Sequence, residues 1–219
     1  MKIAALADLH GKLDSIAPVA EVLASVDVVA LVGDITHFGA ASAAAEIVDE
    51  VRKSNSHVVA IQGNCDPPVV GDYLRGEGID LHGDRHEHDG IAIVGLGGSL
   101  PGPGSTPTEY TEEQLDRYLQ EAVVGMQPGA PMVLICHQPP IDSSMDEIST
   151  GEHVGSRAVR DFIETWKPHV TFTGHIHEAR GEDRLSEAVI INPGPLAQGG
   201  YGLAEVSAAG LVSAAIGGL

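Results

Sequence analysis

Short apolar runs, each followed by a polar turn, constrain the possible folds of this chain more than any other feature. The runs are KIAALA (2–7), DVVALV (27–32), HVVAIQ (57–62), IAIVGL (91–96), MVLIC (132–136), VTFTG (170–174) and AVIIN (188–192). Nearly continuous apolar runs of this length are typical of strands that are covered on both faces. The sequence therefore predicts a buried central sheet with a substantial parallel part.

Helical patterns separate these strands, at 13–24, 40–53, 111–123 and 156–166. Thr111 with Gln114 three positions later forms a capping-box pattern, and Ser156 stands in an N-cap position. Pro18 is compatible with a helix over 13–24 only because it falls in the first turn. Strands that alternate with helices predict the α/β fold class.

The C-terminal segment LAEVSAAGLVSAAI (203–216) has a different pattern, which predicts two strands joined by a turn at Ala209 and Gly210. A second, more antiparallel sheet is expected there. Neither an internal repeat nor an interdomain linker interrupts the chain, so we expect residues 1–219 to form one domain. Residues 97–111, rich in Pro, Gly and Thr, predict a long surface loop that either lines a substrate groove or has no functional role.

The charge balance excludes several classes of partner. The chain has 31 acidic and 12 basic residues, a formal net charge of −19. Such a surface repels nucleic-acid phosphates and anionic membranes, so we expect neither as a partner. No signal-peptide pattern or membrane span is predicted, and a cytoplasmic location is expected. The acidic surface also suggests salt adaptation, and a homo-oligomer is compatible with the sequence.

Metal-binding residue types follow five of the predicted strands. They are Asp8, His10, Asp34, Asn64, His137, His175 and His177. Ligands gather at the carboxyl ends of strands in open α/β sheets. Carboxylate, imidazole and amide oxygen suit Mn, Fe, Co, Ni or Zn, of which Mn²⁺ is our first choice. Seven donors are too many for one ion, but they suit two ions that share a carboxylate and act together in phosphoryl displacement.

The ordered motifs D-x-H, GD, GN-x-D, H and GHxH, from Asp8 to His177, resemble the calcineurin-like metallophosphoesterase superfamily. The resemblance implies a four-layer α/β/β/α sandwich and phosphoester hydrolysis by a metal-bridging hydroxide. It implies that one ion is held by Asp8, His10, Asp34 and His177, and the other by Asp34, Asn64, His137 and His175. Asp34 is then the bridging carboxylate, and the expected substrate is a small phosphodiester or phosphomonoester.

Cys65 departs from the family pattern, which usually has a histidine that protonates the leaving group at this position. A thiol is a poor general acid compared with imidazolium, so the resemblance implies that phosphodiesters are preferred. Cys65 is then either a weak contact to the substrate or a packing residue. Two alternatives remain open, a broad phosphomonoesterase and a catalytically weak scaffold for protein interaction.

Other chemically capable residues have simpler interpretations. Asp66 is expected to orient its loop or to support a ligand, Cys136 to lie in the core, and His37 to be a loop residue. The alternate histidines of LHGDRHEHDG (81–90) predict a solvated hairpin rather than a further metal site. Arg85, Arg157 and Arg180 are scarce cations that could bind a substrate phosphate, and the sequence favours none of them; the role of His153 is also open.

Overall fold

The computed structural model describes residues 1–218, which form eleven strands in two sheets. The strands are β1 (Lys2–Leu6), β2 (Val28–Val32), β3 (Val58–Ile61), β4 (Arg85–His88), β5 (Ile91–Leu96), β6 (Met132–Cys136), β7 (Val170–Phe172), β8 (Gly181–Leu185), β9 (Ala188–Asn192), β10 (Gly200–Ser207) and β11 (Gly210–Gly218). The first sheet has the order β11-β10-β1-β2-β3, and the second has the order β4-β5-β6-β7-β9-β8. Strands β1, β2 and β3 pair in parallel in the first sheet, and strands β5, β6, β7 and β9 pair in parallel in the second.

Five α-helices cover the sheets: α1 (Ala20–Ala24), α2 (Ala41–Arg52), α3 (Pro68–Gly76), α4 (Glu112–Ala122) and α5 (Arg157–Trp166), counted within residues 1–218. The capping box predicted at Thr111 is present, since its hydroxyl accepts from the amide of Gln114 while the Gln114 side chain accepts from the Thr111 amide. The Ser156 hydroxyl likewise accepts from the amide of Val159 at the start of α5.

Three apolar layers hold the fold together and produce the predicted four-layer α/β/β/α sandwich. Alternate residues of β1 point to opposite faces, so Ile3 and Ala5 pack between the sheets while Ala4 and Leu6 pack under α1, α2 and α3. The outer face of the second sheet packs against α4 and α5, where Phe162 and Trp166 are buried. Burial on both faces explains why the strands have nearly continuous apolar sequences.

Two sequence predictions need correction. The predicted helix over 13–24 consists of 3₁₀ turns at Leu13–Ser15 and Ala17–Val19 followed by the short α1, because Pro18 cannot donate a backbone hydrogen bond within a longer helix. The C-terminal hairpin forms as predicted, but it joins the first sheet, where β10 pairs antiparallel with β1. The second sheet is built by residues 85–192 instead.

None of the helices in the described part of the chain is long and apolar enough to span a lipid bilayer.

Candidate metal centre

The structure brings all seven predicted donors to one end of the sandwich. Asp8, Asp34 and Asn64 follow β1, β2 and β3 of the first sheet, while His137 follows β6 and His175 follows β7 of the second. Parallel strands place their carboxyl ends at the same sheet edge, and the stacked sheets place the two edges together. His137 joins the sheets, because its Nδ1 lies 2.9 Å from the carbonyl oxygen of Val32.

One half of the site surrounds the amide oxygen of Asn64. His137 Nε2 lies 3.0 Å from Asn64 Oδ1, and His175 Nδ1 lies 2.8 Å from the same oxygen. His137 Nε2 also lies 3.4 Å from Asp34 Oδ1. Two imidazole nitrogens, an amide oxygen and a carboxylate oxygen therefore converge on a small volume, a donor set that suits a transition-metal ion.

The other half of the site surrounds His10 and His177. Their Nε2 atoms are 3.2 Å apart, and His177 Nε2 lies 3.4 Å from Asp8 Oδ1. The second carboxylate oxygen of Asp34, Oδ2, lies 3.8 Å from His10 Nε2. Asp34 thus stands between the two halves and turns one oxygen toward each.

The backbone adopts a rare conformation at four of the seven donors. Asp8, His10, Asp34 and His175 have φ values of 52°, 48°, 47° and 69°, in the left-handed region. Asp and His tolerate this region better than most residues, but it still costs on the order of 1 kcal/mol or more per residue. Conformations of this kind persist where the surrounding structure enforces them, and they concentrate at functional sites.

Glycines next to the donors allow other donor side chains to lie close to the backbone. A Cβ at Gly33 would overlap the ring of His137, and a Cβ at Gly63 would overlap the carboxylate of Asp34. The GD and GN pairs in the sequence are therefore steric requirements of the site, since only glycine leaves room for the neighbouring side chain.

The electrostatic environment favours a bound cation. Asp8 Oδ2 is buried and has no hydrogen-bond partner, although buried polar atoms are normally paired. Burial raises the pKa of Asp34, but the adjacent His137 and the amide of Cys65 outweigh it and hold that pKa below its usual range. Burial also lowers the pKa of His175 to about 4, which leaves a neutral imidazole with a lone pair available. The residues present therefore fit a divalent metal ion.

Asp66 connects the loops that carry Asp34 and Asn64, in agreement with its predicted role in orienting its loop. Its carboxylate is fully buried and accepts four hydrogen bonds. The donors are the amides of Ile35, Thr36 and Gly63 and the Thr36 hydroxyl, at 2.7–3.0 Å. Asp66 thereby fixes the relative position of the loops that carry the two candidate donors.

Five of the seven donors, all except Asp8 and His137, line a cavity of about 540 Å³, whose wall also includes Lys12, His37 and Cys65. Cys65 Sγ and the ring nitrogens of His10 and His37 lie within 4.8 Å of one another. Burial and the adjacent Asp34 raise the pKa of the Cys65 thiol well above its usual value, so this group stays protonated. Lys12 was not identified from the sequence, and a basic residue two positions after His10 is the only signal that pointed to it.

The arginines considered from the sequence lie elsewhere. Arg85 donates to the carbonyl oxygens of Ala122 and Val124 at the end of α4. Arg180 donates to the carbonyl of Gly217, and Arg157 Nη2 lies 3.6 Å from Asp142 Oδ2. Within residues 1–218, Lys12 is the one Lys or Arg in the wall of the 540 Å³ cavity.

The remaining candidates also lie outside this cavity. The predicted hairpin is present, with β4 paired antiparallel to β5, but the prediction that it is solvated is wrong for His82, which lies before β4 and packs against Tyr110 and Tyr118. Cys136 is fully buried in the core, as expected. His153 Nδ1 lies 2.8 Å from Asp146 Oδ1 on the neighbouring loop.

Known proteins resemble this chain in sequence and in fold. Residues 1–210 match the model of the calcineurin-like phosphoesterase superfamily domain. An uncharacterised protein of Methanocaldococcus jannaschii is 34% identical over 201 residues, covering 89% of this chain and 88% of the relative. The crystal structure of TT1561 from Thermus thermophilus superimposes with a TM-score of 0.74 at 18% identity, over 99% of this chain and 98% of that one.

A structure described as that of a novel archaeal phosphodiesterase has a TM-score of 0.51 at 17% identity, with 100% of both chains covered. At such identities these structures show a shared fold alone, whereas the family model spans nearly the whole chain. The chain therefore belongs to the calcineurin-like phosphoesterase superfamily.

Proposed function

We propose that this protein is a dinuclear metal-dependent phosphoesterase that prefers phosphodiesters. Membership of the superfamily indicates metal-dependent phosphoester chemistry. The observation that carries the dinuclear proposal is the position of Asp34, with Oδ1 3.4 Å from His137 and Oδ2 3.8 Å from His10. A carboxylate that turns one oxygen to each of two donor groups is suited to bridge two ions.

The donors then divide into two sets. Asp8, His10, Asp34 and His177 would hold one ion, and Asp34, Asn64, His137 and His175 the other. Two bound divalent ions would supply a water-derived nucleophile at neutral pH and neutralise the charge of the phosphate oxygens. Mn²⁺ is the first choice, although the same donors accept Fe, Co, Ni or Zn.

Residues at the cavity wall hold the substrate. The oxygen of Asn64 faces the two histidines, and its Nδ2 donates to Cys65 Sγ at 3.7 Å, which leaves the second N–H of the amide to donate to a phosphate oxygen. Lys12 supplies positive charge at the cavity, which offsets part of the repulsion between an anionic ester and a chain of net charge −19. His37 lies beside His10, with ring centroids 5.4 Å apart, and contributes a second polar contact.

The preference for diesters follows from Cys65. A phosphodiester carries one negative charge less than a monoester dianion, so it depends less on a positively charged acid at the position where the family usually has histidine. The Cys65 thiol is held protonated and is a weak donor, so it provides no such charge. A scaffold role is less well supported, because every donor position is filled and all seven donors are assembled.

The test is hydrolysis of bis(4-nitrophenyl) phosphate and 4-nitrophenyl phosphate by metal-stripped protein, with and without Mn²⁺. We expect Mn²⁺-dependent turnover with a higher kcat/KM for the diester. Asp34→Asn and His175→Asn should reduce kcat by about a hundredfold or more, since the first removes the charge of the bridging carboxylate and the second replaces an imidazole nitrogen by a shorter, weaker amide ligand. Asparagine is chosen at 175 because it tolerates the left-handed backbone there.

The matched control is His86→Asn, which changes an exposed histidine of the 81–90 hairpin. It should retain wild-type turnover. Full activity of Asp34→Asn in the presence of Mn²⁺ would contradict the proposed centre, and a higher kcat/KM for the monoester would contradict the diester preference alone.

A further inference from the structure

A second cavity, of about 340 Å³, adjoins the metal centre. Asn64 and His175 line both this cavity and the larger one, so the two cavities adjoin at two of the proposed metal ligands. One wall is formed by the 97–111 loop and the other by residues 138–154 and Ile176. We call this second cavity the loop pocket.

The walls of the loop pocket are fixed by hydrogen bonds. Gln138, which is buried, accepts from the amide of Leu100 at 3.0 Å and donates to the carbonyl of Val154 at 2.9 Å. It therefore ties the two walls together. The Thr108 amide donates to the carbonyl of Asn64 at 3.1 Å, and the Thr108 hydroxyl donates to that of Asp66 at 2.6 Å. The loop is thus anchored directly to a metal-binding segment, as expected of a preorganised binding wall.

The lining of the loop pocket is mainly apolar. The side chains of Leu100, Ile148, Val154 and Ile176 face it, together with prolines of the loop. Within residues 1–218, Glu109 is the one Asp, Glu, Lys or Arg in its wall. The amide and hydroxyl of Thr106 donate to Glu109 and hold the pKa of its carboxyl below the usual range, so the group is anionic.

We propose that the loop pocket binds an uncharged apolar substituent of the phosphodiester, an aryl or alkyl ester group, beside the phosphorus. This inference rests on the proposed function and narrows its substrate class. An apolar group gains free energy on leaving water for this lining. A second anionic group, such as a further phosphate, would meet the carboxylate of Glu109 without a cation to pair with it. The two cavities would therefore bind different parts of the substrate. The cavity with Lys12 suits the charged phosphate, and the loop pocket suits an apolar ester group.

The kinetic test uses two esters with the same leaving group, 4-nitrophenyl phenyl phosphate and 4-nitrophenyl methyl phosphate. The Mn²⁺-loaded wild type should prefer the phenyl ester by about tenfold or more in kcat/KM. Ile148→Ser and Val154→Ser should each reduce this ratio to about threefold or less. The matched control Val124→Ser changes a valine that is 70% exposed and remote from both cavities, and should leave the ratio unchanged.

A binding measurement is independent of turnover. Diphenyl phosphate added to Zn²⁺-loaded, methyl-labelled protein should shift the NMR signals of Leu100, Ile148 and Val154, while dimethyl phosphate should not. The methyl signals of Val212, which is 62% exposed on β11, should stay constant in both titrations.

The outcomes separate the two proposals. Shifts at the three wall residues without hydrolysis of either ester under any divalent metal would support the loop pocket and contradict the proposed function. Hydrolysis of both esters with equal kcat/KM by the wild type, or shifts confined to other methyl groups, would overturn the loop-pocket inference while the proposed function stands.

Discussion

The residue at position 65 determines which acidic group faces the 540 Å³ cavity and could protonate a leaving group there. The backbone amide of Cys65 donates to Asp34 Oδ1 at 2.8 Å, so the residue is held beside the carboxylate we propose as the bridge. Its side chain is half-buried and reaches the same cavity as His37 and Lys12. A thiol in this place adds little acidity, whereas an imidazolium would add a proton and a positive charge.

We therefore expect Cys65→His to raise monoesterase activity relative to diesterase activity, by about tenfold or more in the ratio of kcat/KM values. The measurement is Mn²⁺-dependent hydrolysis of 4-nitrophenyl phosphate and bis(4-nitrophenyl) phosphate. Cys65→Ser keeps a small side chain and introduces no acid of comparable strength, so its ratio should remain that of the wild type. An unchanged ratio in Cys65→His would mean that position 65 does not set the preference.

His82 gives a prediction about stability and pH. Its Nδ1 accepts from the amide of Gly97 at 2.9 Å, and its ring packs against Tyr110 and Tyr118. Burial lowers the pKa of His82 to about 4, below the ordinary 6.5. As pH falls from 6.5 to 4, the unfolded chain takes up this proton first, so the folded state loses up to about 3 kcal/mol over that window.

Urea unfolding at several pH values checks this expectation. His82→Asn keeps an acceptor near Gly97 but removes the titrating ring, so its free energy of unfolding should fall less steeply between pH 6.5 and 4. The control is His86→Asn, an exposed neighbour in the hairpin, which should follow the wild-type slope. Equal slopes in wild type and His82→Asn would remove His82 as a source of acid sensitivity.

At the scale of structural elements, the geometry of the site depends on the two loops that Asp66 joins by hydrogen bonds. One loop follows β2 and carries Asp34, and the other follows β3 and carries Asn64. Because a single buried carboxylate accepts from both loops, their relative position depends on one side chain.

Asp66→Asn should destabilise the fold by about 2 kcal/mol at pH 8, because an amide NH₂ replaces an oxygen that accepts from backbone amides. It should also weaken Mn²⁺ binding, since the loops lose their common anchor. Urea unfolding and isothermal titration with Mn²⁺ measure the two effects. Asp72→Asn, at an aspartate that is 71% exposed, should change neither. If Asp66→Asn has the wild-type free energy of unfolding, the hydrogen bonds that Asp66 accepts from the two loops contribute little to stability.

Local sequence patterns predicted those helix ends and buried strand faces that depend only on residues close in sequence. Thr111 and Ser156 cap their helices as expected, because capping depends on contacts within one turn. The seven donors converge because each follows a strand that is paired in parallel, and such strands end at the same edge of a sheet. Each of these strands was recognisable in the sequence as an apolar run. The apolar lining of both faces of the sheets was predictable for the same reason.

Other elements depend on distant contacts and were missed. The sequence of α3, PVVGDYLRG, contains Gly71, a poor helix former that is needed because a Cβ there would overlap the side chain of Gln62. The strand β8, GEDRL, has the polar composition of a sheet edge and resembles a loop. Lys12 reaches the cavity from a turn in which its amide donates to the carbonyl of Leu9, just before the 3₁₀ turn Leu13–Ser15, and no local pattern specified this position.

The whole molecule carries a net charge of −19, and its stability should therefore depend on salt. Repulsion among exposed carboxylates destabilises the compact state, and salt screens it over about 10 Å at 0.1 M and about 3 Å at 1 M. We expect the thermal midpoint of the metal-free protein to rise between about 0.05 and about 1 M KCl. Equal midpoints of the metal-free protein, together with equal activity of the Mn²⁺-loaded protein at both concentrations, would contradict salt adaptation.

The pairing of β1 with β10 has a consequence for how the chain acquires its structure during synthesis. Lys2 lies opposite Glu205, so the strand that leads into Asp8 pairs on one side with β2, which is close in sequence, and on the other side with β10, which is distant in sequence. A nascent chain that has emerged only as far as β9 leaves one edge of β1 open to water and to other chains. The sheet around β1, and around Asp8 that follows it, is therefore complete only after the β10–β11 hairpin has been synthesised.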